Sequence, residues 1–121
     1  MPRILVIDDD PSIRQVVDYA LTDEGYEVDL APNGEAALAA IARQHPDVIL
    51  LDMKMPVMDG WEFARRYRER YDHRAPIVAV TAAQDAAQRG ADVGAEDYLA
   101  KPFDLAALVE CIAVVIRRRG R

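Results

Sequence analysis

Short apolar runs alternate with longer amphipathic segments along the whole chain. Ile4-Leu5-Val6-Ile7 and Val48-Ile49-Leu50-Leu51 are apolar at every position, which is the pattern of strands buried on both faces of a parallel sheet. Three further strands are predicted at Glu27–Ala31, Ile77–Val80 and Tyr98–Ala100. Strands of this kind separated by helical segments predict an α/β fold built on one parallel sheet.

The segments between the strands have the spacing and the end signals of helices. Asp10 and Pro11 offer an N-cap followed by a proline at the first helical position, and Asp59 and Asp104 are placed to cap two later helices. A polar, alanine-rich helix is predicted at about residues 85–93. The last helix has the clearest apolar stripe, formed by Leu105, Leu108, Val109, Ile112, Val115 and Ile116. Five strands alternating with five helices predict a doubly wound sheet with helices on both faces.

Length, charge and cysteine content narrow the class of protein. A chain of 121 residues with 51% hydrophobic content predicts a single domain over residues 1–121. The net charge of −6 argues against direct nucleic-acid binding by this domain, and the basic residues at 117–121 are expected to end a helix and lead into a linker. Cys111 is the only cysteine, which excludes an internal disulfide and a multi-cysteine zinc site.

The chain has no sequence signal for a membrane or for export. No stretch approaches the roughly 20 apolar residues of a membrane span. The first ten residues, MPRILVIDDD, become acidic too early for a signal peptide. We therefore expect a cytoplasmic protein without membrane contacts.

Polar side chains follow the carboxyl ends of four predicted strands, where parallel sheets bind their ligands. The set consists of Asp8, Asp9, Asp10, Asp52, Thr81 and Lys101. Carboxylates that converge repel one another, and a hard divalent cation such as Mg²⁺ would neutralise them while leaving positions for phosphate oxygens. Lys101 and Thr81 would complement a phosphoryl group, and a carboxylate can accept one covalently. The pattern predicts Asp52 as a nucleophile beside a metal ion.

Four sequence blocks together resemble the receiver domain of response regulators in two-component signalling. They are ILVIDDD, DVILLDMKMPVMDG, AVTAA and DYLAKPF, in this order and across the whole chain. The resemblance implies a flavodoxin-like fold with strand order 2-1-3-4-5. It also implies a phosphoacceptor domain rather than an enzyme, with at most self-phosphorylation from small donors and slow self-dephosphorylation. Asp52 would take a phosphoryl group from the phosphohistidine of a sensor histidine kinase or a histidine phosphotransfer protein.

The resemblance implies a metal site made of three acids and one backbone oxygen. Mg²⁺ or Mn²⁺ would be bound directly by Asp9, by Asp52 and by the backbone carbonyl of Lys54. Asp8 would support the ion through a water molecule.

The resemblance also implies a phosphoryl site and a switch. Thr81 and the backbone amide of Ala82 would bind phosphoryl oxygens, Lys101 would pair with their charge, and the Lys101–Pro102 peptide bond would be cis. Tyr98 matches an aromatic residue that changes rotamer on activation. The output surface would comprise the helix at about 85–93, the fifth strand and the last helix. It would contact a downstream output protein or domain, and phosphorylation could be followed by dimerisation.

Two other functions share part of this pattern. A haloacid-dehalogenase-like phosphatase would use Asp8 as nucleophile and Asp10 as acid, but Pro11 would stiffen the turn beside that pair and Asp52 would have no role. No acidic pair follows Lys101, as that family requires. A pseudo-receiver, an interaction module that is never phosphorylated, usually lacks one of the acids, the threonine or the lysine, and this chain has all of them.

Residues away from the strand ends have simpler interpretations. Tyr67 is expected to pack in the core, and Met53 and Met58 are expected to pack within the loop that follows Asp52. His45 lies at a connection on the opposite side of the sheet and is expected to be an ordinary surface histidine.

Overall fold

The protein is described by a computed structural model that covers residues 1–82 and 94–119. The strands are β1 Arg3–Ile7, β2 Glu27–Ala31, β3 Val48–Asp52, β4 Ile77–Ala82 and β5 Asp97–Lys101. The helices within these residues are α1 Pro11–Asp23, α2 Gly34–Arg43, α3 Gly60–Arg70 and α4 Leu105–Arg119. The helix predicted at about 85–93 lies outside the described residues, so α4 corresponds to the last predicted helix.

All five strands are parallel and lie in the order β2-β1-β3-β4-β5, as expected from the resemblance. Ile7 in β1 pairs with Leu51 in β3. Asp52 pairs with Val80 in β4. The last residues of neighbouring strands therefore meet along one edge of the sheet, and the side chains just beyond them share one cleft.

The sheet separates two apolar layers. Alternate residues of each strand face opposite sides, so every central strand contributes to both layers. One layer lies under α2 and α3 and contains Leu5, Ile7, Ile49, Leu51, Ala37, Ile41, Phe63 and Tyr67. The other lies under α1 and α4 and contains Ile4, Val6, Val48, Leu50, Val17, Leu21, Leu108 and Ile112. This two-sided burial fixes the sheet and holds its carboxyl edge in place.

Side chains close the helix ends as the sequence predicts. The Asp10 carboxylate accepts the backbone N–H groups of Ser12 at 2.8 Å and Ile13 at 3.4 Å. Asp59 caps α3 and Asp104 caps α4 in the same way. The basic residues 117–119 form the last turn of α4, where cations interact favourably with the helix dipole.

The loop between β3 and α3 packs against two helix starts through methionine–glycine contacts. A Cβ atom on Gly34 would lie 2.7 Å from the Met58 sulfur. A Cβ atom on Gly60 would lie 2.7 Å from the Met53 sulfur and 2.8 Å from the Met53 Cα. Both methionines are buried, as expected, and they hold the segment that directly follows Asp52. Among the described helices, none is both long enough and apolar enough to cross a bilayer.

Candidate functional site

Three carboxylates converge at the carboxyl ends of two adjacent strands. Asp52 is the last residue of β3, and Asp8 and Asp9 directly follow β1. Oxygen atoms of the three carboxylates lie within 4.8 Å of one another. Asp8 and Asp52 are each only 4% exposed, whereas Asp9 is exposed at the mouth of a cleft of about 800 Å³. The structure therefore brings together the three acids expected to hold a metal ion.

Lys101 lies between the two buried acids. Its Nζ atom is 3.4 Å from Asp8 Oδ2 and 3.4 Å from Asp52 Oδ2. Burial lowers the pKa of Lys101, but the charges of Asp52 and Asp8 outweigh that effect and raise it. The lysine therefore stays protonated and balances part of the negative charge in the cleft.

Despite this lysine, the ionised form of Asp52 is less favourable in the cleft than it would be for an aspartate in water. Burial is the main cause that raises its pKa to about 6, and the Asp8 charge adds to it. Lys101 and a hydrogen bond from the Lys54 N–H, at 3.3 Å from Asp52 Oδ1, act in the opposite direction without reversing the shift. Three carboxylates around one ammonium group leave an excess of negative charge, and their oxygens are ligands that Mg²⁺ prefers. The donor set fits a hard divalent cation.

Every polar atom of Asp8 has a partner. Its N–H donates to Ala31 O at 3.1 Å, and its Oδ1 accepts the Asp10 N–H at 2.9 Å. Its Oδ2 faces Lys101, and its backbone oxygen accepts a hydrogen bond from Arg14 Nη1 at 2.6 Å. Arg14 was not selected from the sequence, because its contact is with a backbone carbonyl six residues earlier. Its place on the first turns of the helix that follows the acids is the only signal available in the sequence.

The Thr81 hydroxyl is a buried polar group without a hydrogen-bond partner among the described residues. Thr81 is 2% exposed and lines the same cleft as Asp52 and Lys101. An unsatisfied buried hydroxyl costs about 1–3 kcal/mol, so such groups are rare in native proteins and a bound ligand is one way to satisfy them. An oxygen atom of a ligand in the cleft would supply the missing partner.

The remaining residues selected from the sequence line the cleft or lie in the two strands β4 and β5 that end there. Lys54 lines it. Ala82 ends β4 and pairs with Lys101 in β5. The Lys101–Pro102 peptide bond is cis. Tyr98 pairs with Ala79 in the sheet and is 45% exposed.

The fold and the cleft define the class of protein. A doubly wound parallel sheet of this strand order, with an acidic site where the strand connections diverge, is a flavodoxin-like α/β domain. The family model described as "Response regulator receiver domain" matches residues 4–113. The chain belongs to the response-regulator receiver domain family, which confirms the family and the flavodoxin-like sheet of order 2-1-3-4-5 expected from the sequence.

Curated relatives extend beyond the length of this chain. The chain is 42% identical over 118 residues to "Response regulator MprA" of Mycobacterium leprae, covering 96% of the chain and 51% of that relative. It is 41% identical over 118 residues to "Probable transcriptional regulator ycf27" of Porphyridium aerugineum, covering 96% of the chain and 48% of that relative. The chain thus spans about half the length of the curated relatives it matches.

Solved structures with the same fold cover nearly the whole chain. Chemotaxis response regulator CheY4 of Vibrio cholerae superposes with a TM-score of 0.85 at 39% identity, covering 95% of this chain and 98% of that chain. The receiver domain of the Francisella response regulator 1452 gives a TM-score of 0.89 at 29% identity, covering 98% of this chain and 99% of that chain.

Proposed function

We propose that Asp52 receives a phosphoryl group from the phosphohistidine of a sensor histidine kinase or a histidine phosphotransfer protein. One observation carries the proposal: a buried carboxylate, an ammonium group at 3.4 Å and a buried hydroxyl that has no hydrogen-bond partner within residues 1–82 and 94–119 line one cleft. This combination supplies a nucleophile, a countercharge and a hydrogen-bond donor for one tetrahedral anion.

The transfer exchanges one bond to phosphorus for another. An oxygen of ionised Asp52 attacks the phosphorus atom, the bond from phosphorus to the donor imidazole nitrogen breaks, and the imidazole leaves with that electron pair and takes up a proton. With a pKa of about 6, Asp52 is mostly ionised at neutral pH and is therefore ready to attack. Lys101 would pair with the charge on the phosphoryl oxygens, and Thr81 and the amide of Ala82 would donate hydrogen bonds to them.

Receiver domains bind Mg²⁺ at an acidic cluster, and here Asp9, Asp52 and the backbone carbonyl of Lys54 would hold it or Mn²⁺. Asp8 would act through water, in keeping with its buried carboxylate, which already accepts from Lys101 and Asp10. When bound, the ion supplies positive charge for the phosphoryl oxygens.

Signal output would begin at Thr81. A phosphoryl oxygen would draw the hydroxyl inward, and the exposed Tyr98 ring would turn into the space beside β5. The altered face, which includes β5 and α4, would contact an output protein or domain or a second copy of the chain. Curated relatives named as regulators are about twice as long, which supports an output part that acts with this domain. We place this signalling in the cytoplasm.

The phosphatase alternative has little support in the cleft. It needs Asp10 as an acid beside Asp8, but the Asp10 carboxylate accepts two N–H groups of α1 as its N-cap. Asp52, which that hypothesis leaves without a role, is the acid in contact with Lys101.

Peptide mapping after phosphorylation tests the proposal. Incubation with Mg²⁺ and acetyl phosphate should add one phosphoryl group, located on Asp52, and chelation of the metal should prevent the addition. Asp52→Asn should abolish it, whereas Asp59→Asn, a change of another carboxylate that keeps the cap of α3, should not. A label on Asp8 would contradict the proposal and favour a phosphatase, and the absence of any label would favour a pseudo-receiver.

A further inference from the structure

The peptide that joins Asp8 to Asp9 connects two acids in opposite surroundings. The Asp8 carboxylate is buried, and both of its oxygens accept hydrogen bonds. The Asp9 carboxylate is exposed and has no hydrogen bond or ion pair with any residue that the structure describes. The direction of the Asp9 side chain therefore depends on the backbone that carries it.

Arg14 holds this peptide from the side of the helix. β1 ends at Ile7, so the Asp8 carbonyl lies beyond the ladder formed with β3. That carbonyl accepts Arg14 Nη1 at 2.6 Å, and the N–H on the other side of the same peptide, from Asp9, has no partner in the described part of the chain. Among the described residues, Arg14 is the one group that fixes this peptide plane.

The helix gives Arg14 a fixed base for this contact. Asp10 caps α1, and the Arg14 N–H donates to Asp10 O at 3.0 Å. The guanidinium group is planar and rigid, so its hydrogen bond restricts the orientation of the carbonyl as well as its position. Rotation of the peptide plane would change the backbone angles on both sides of it and turn the Asp9 side chain away from the other two acids.

We propose that Arg14 is a positioning residue for the metal site: by holding the Asp8 carbonyl, it aims the Asp9 carboxylate at the ion shared with Asp52. The proposal rests on the proposed function, because it assumes that the three acids bind a divalent cation. It assigns to Arg14 a role that does not involve contact with the metal or the phosphoryl group.

The direction in which Mg²⁺ affinity changes when Arg14 is removed distinguishes a positioning role from a purely electrostatic one. A guanidinium group near an acidic site repels a cation, so its removal would tighten Mg²⁺ binding if charge alone mattered. Loss of a group that orients a metal ligand instead weakens binding, typically by 10- to 100-fold.

Calorimetric titration of the metal-free protein with MgCl₂ tests the proposal. Arg14→Ala should bind Mg²⁺ about tenfold more weakly than wild type, at the lower end of the range for such groups. Arg14→Lys, which keeps the positive charge and a donor group but loses the planar guanidinium, should fall between the two. Arg43→Ala is the matched control, because Arg43 is an exposed arginine near the end of α2. Phosphorylation of Arg14→Ala by acetyl phosphate should need more Mg²⁺ but reach the wild-type rate at saturation.

A second readout needs no metal. The Asp10 N–H, which donates to the Asp8 carboxylate, should exchange with solvent faster in Arg14→Ala than in wild type or in Arg43→Ala. Unchanged or tighter Mg²⁺ binding by Arg14→Ala would overturn the positioning role while the proposed function stands. Failure of the wild-type protein both to bind Mg²⁺ and to accept phosphate would overturn the proposed function and this inference with it.

Discussion

Asp52 is less stable as an anion in the folded protein than in the unfolded chain. Its pKa is raised from 3.8 to about 6, first by burial and then by Asp8. Between these two values the folded state binds more protons than the unfolded state. The free energy of unfolding therefore falls as the pH rises through this window and stays at the lower level above it.

Replacement of Asp52 by asparagine should therefore stabilise the metal-free protein at neutral pH. We expect Asp52→Asn in chelator at pH 7.5 to unfold with a free energy about 1–2 kcal/mol above wild type, a value kept low because solvent reaches part of the cleft. Urea denaturation at pH 7.5 and pH 4.5 measures the difference, which should shrink at the lower pH. Equal or lower stability of the variant at pH 7.5 would show that the ionised Asp52 carboxylate does not destabilise the metal-free fold. Asp59→Asn serves as the control.

At the scale of elements, Thr81 links the cleft to the edge of the sheet. Thr81 is in β4 and Tyr98 is in β5, and the two strands pair along their length. We expect Thr81→Ala to accept phosphate at Asp52 but to lose most of the response at Tyr98. Coupling of this kind is typically about 1–3 kcal/mol, so wild type should show a shift in population.

Nuclear magnetic resonance of the Tyr98 ring, with and without beryllium fluoride as a phosphoryl mimic, checks this expectation. A threonine-to-serine change at position 81 keeps the hydroxyl and should keep the response. Equal changes in the ring signals of wild type and Thr81→Ala would show that the hydroxyl does not carry the coupling.

Tyr67 of α3 contacts two connecting segments at the opposite edge of the sheet, one before β3 and one before β4. Its hydroxyl accepts the Ala75 N–H at 2.8 Å and lies 2.7 Å from His45 Nε2. Since the hydroxyl already accepts one hydrogen bond, its proton is available for the imidazole nitrogen. Burial, and then the charge of His73, lowers the pKa of His45. The lowered pKa favours the neutral imidazole, whose unprotonated nitrogen can accept the Tyr67 hydroxyl proton.

Loss of the Tyr67 hydroxyl should lower stability without affecting the site. Tyr67→Phe removes the acceptor of the half-buried Ala75 N–H, and we expect a loss of about 1 kcal/mol in the free energy of unfolding. Tyr71→Phe, in a neighbouring ring, should change stability much less. Phosphorylation of Tyr67→Phe at Asp52 should proceed at the wild-type rate. A loss of phosphorylation in a stably folded variant would show that the Tyr67 contacts also affect the cleft at the carboxyl edge of the sheet.

At the scale of the whole molecule, metal binding should add to folding stability. An ion that binds only the folded state stabilises it by about 2.7 kcal/mol at a concentration one hundred times its dissociation constant. We expect MgCl₂ to raise the melting temperature of wild type and to raise that of Asp52→Asn less, because the variant lacks one ligand. Differential scanning fluorimetry over a range of MgCl₂ concentrations measures both, and equal increases would argue against Asp52 as a ligand.

The sequence predicted the five strands, the four helices that the structure describes and the residues whose role follows from strand ends. Asp8, Asp52, Thr81 and Lys101 could be selected because parallel strands bring their carboxyl ends together. The ladder extends further than predicted, so Asp52 and Lys101 end strands rather than follow them. Arg14 could not be selected, because its partner is a backbone carbonyl that carries no signature in the sequence.

The Tyr67–His45 contact could not be predicted from the sequence either, for a different reason. Its two side chains are 22 positions apart, one in the connection after α2 and one in α3, and they meet only once both helices have packed on the sheet. Periodicity identified Tyr67 as a core residue and could not show which neighbour its hydroxyl would find.

The two methionine–glycine contacts beside Asp52 differ in how they constrain variation within the family. At position 34 the three atoms nearest to an added methyl group all belong to the Met58 side chain, so a smaller residue at position 58 should make room for alanine. At position 60 the methyl group would also meet the Met53 backbone at 2.8 Å, which no change of side chain can relieve. We expect positions 34 and 58 to covary among homologues, and position 60 to remain glycine whatever residue occupies position 53.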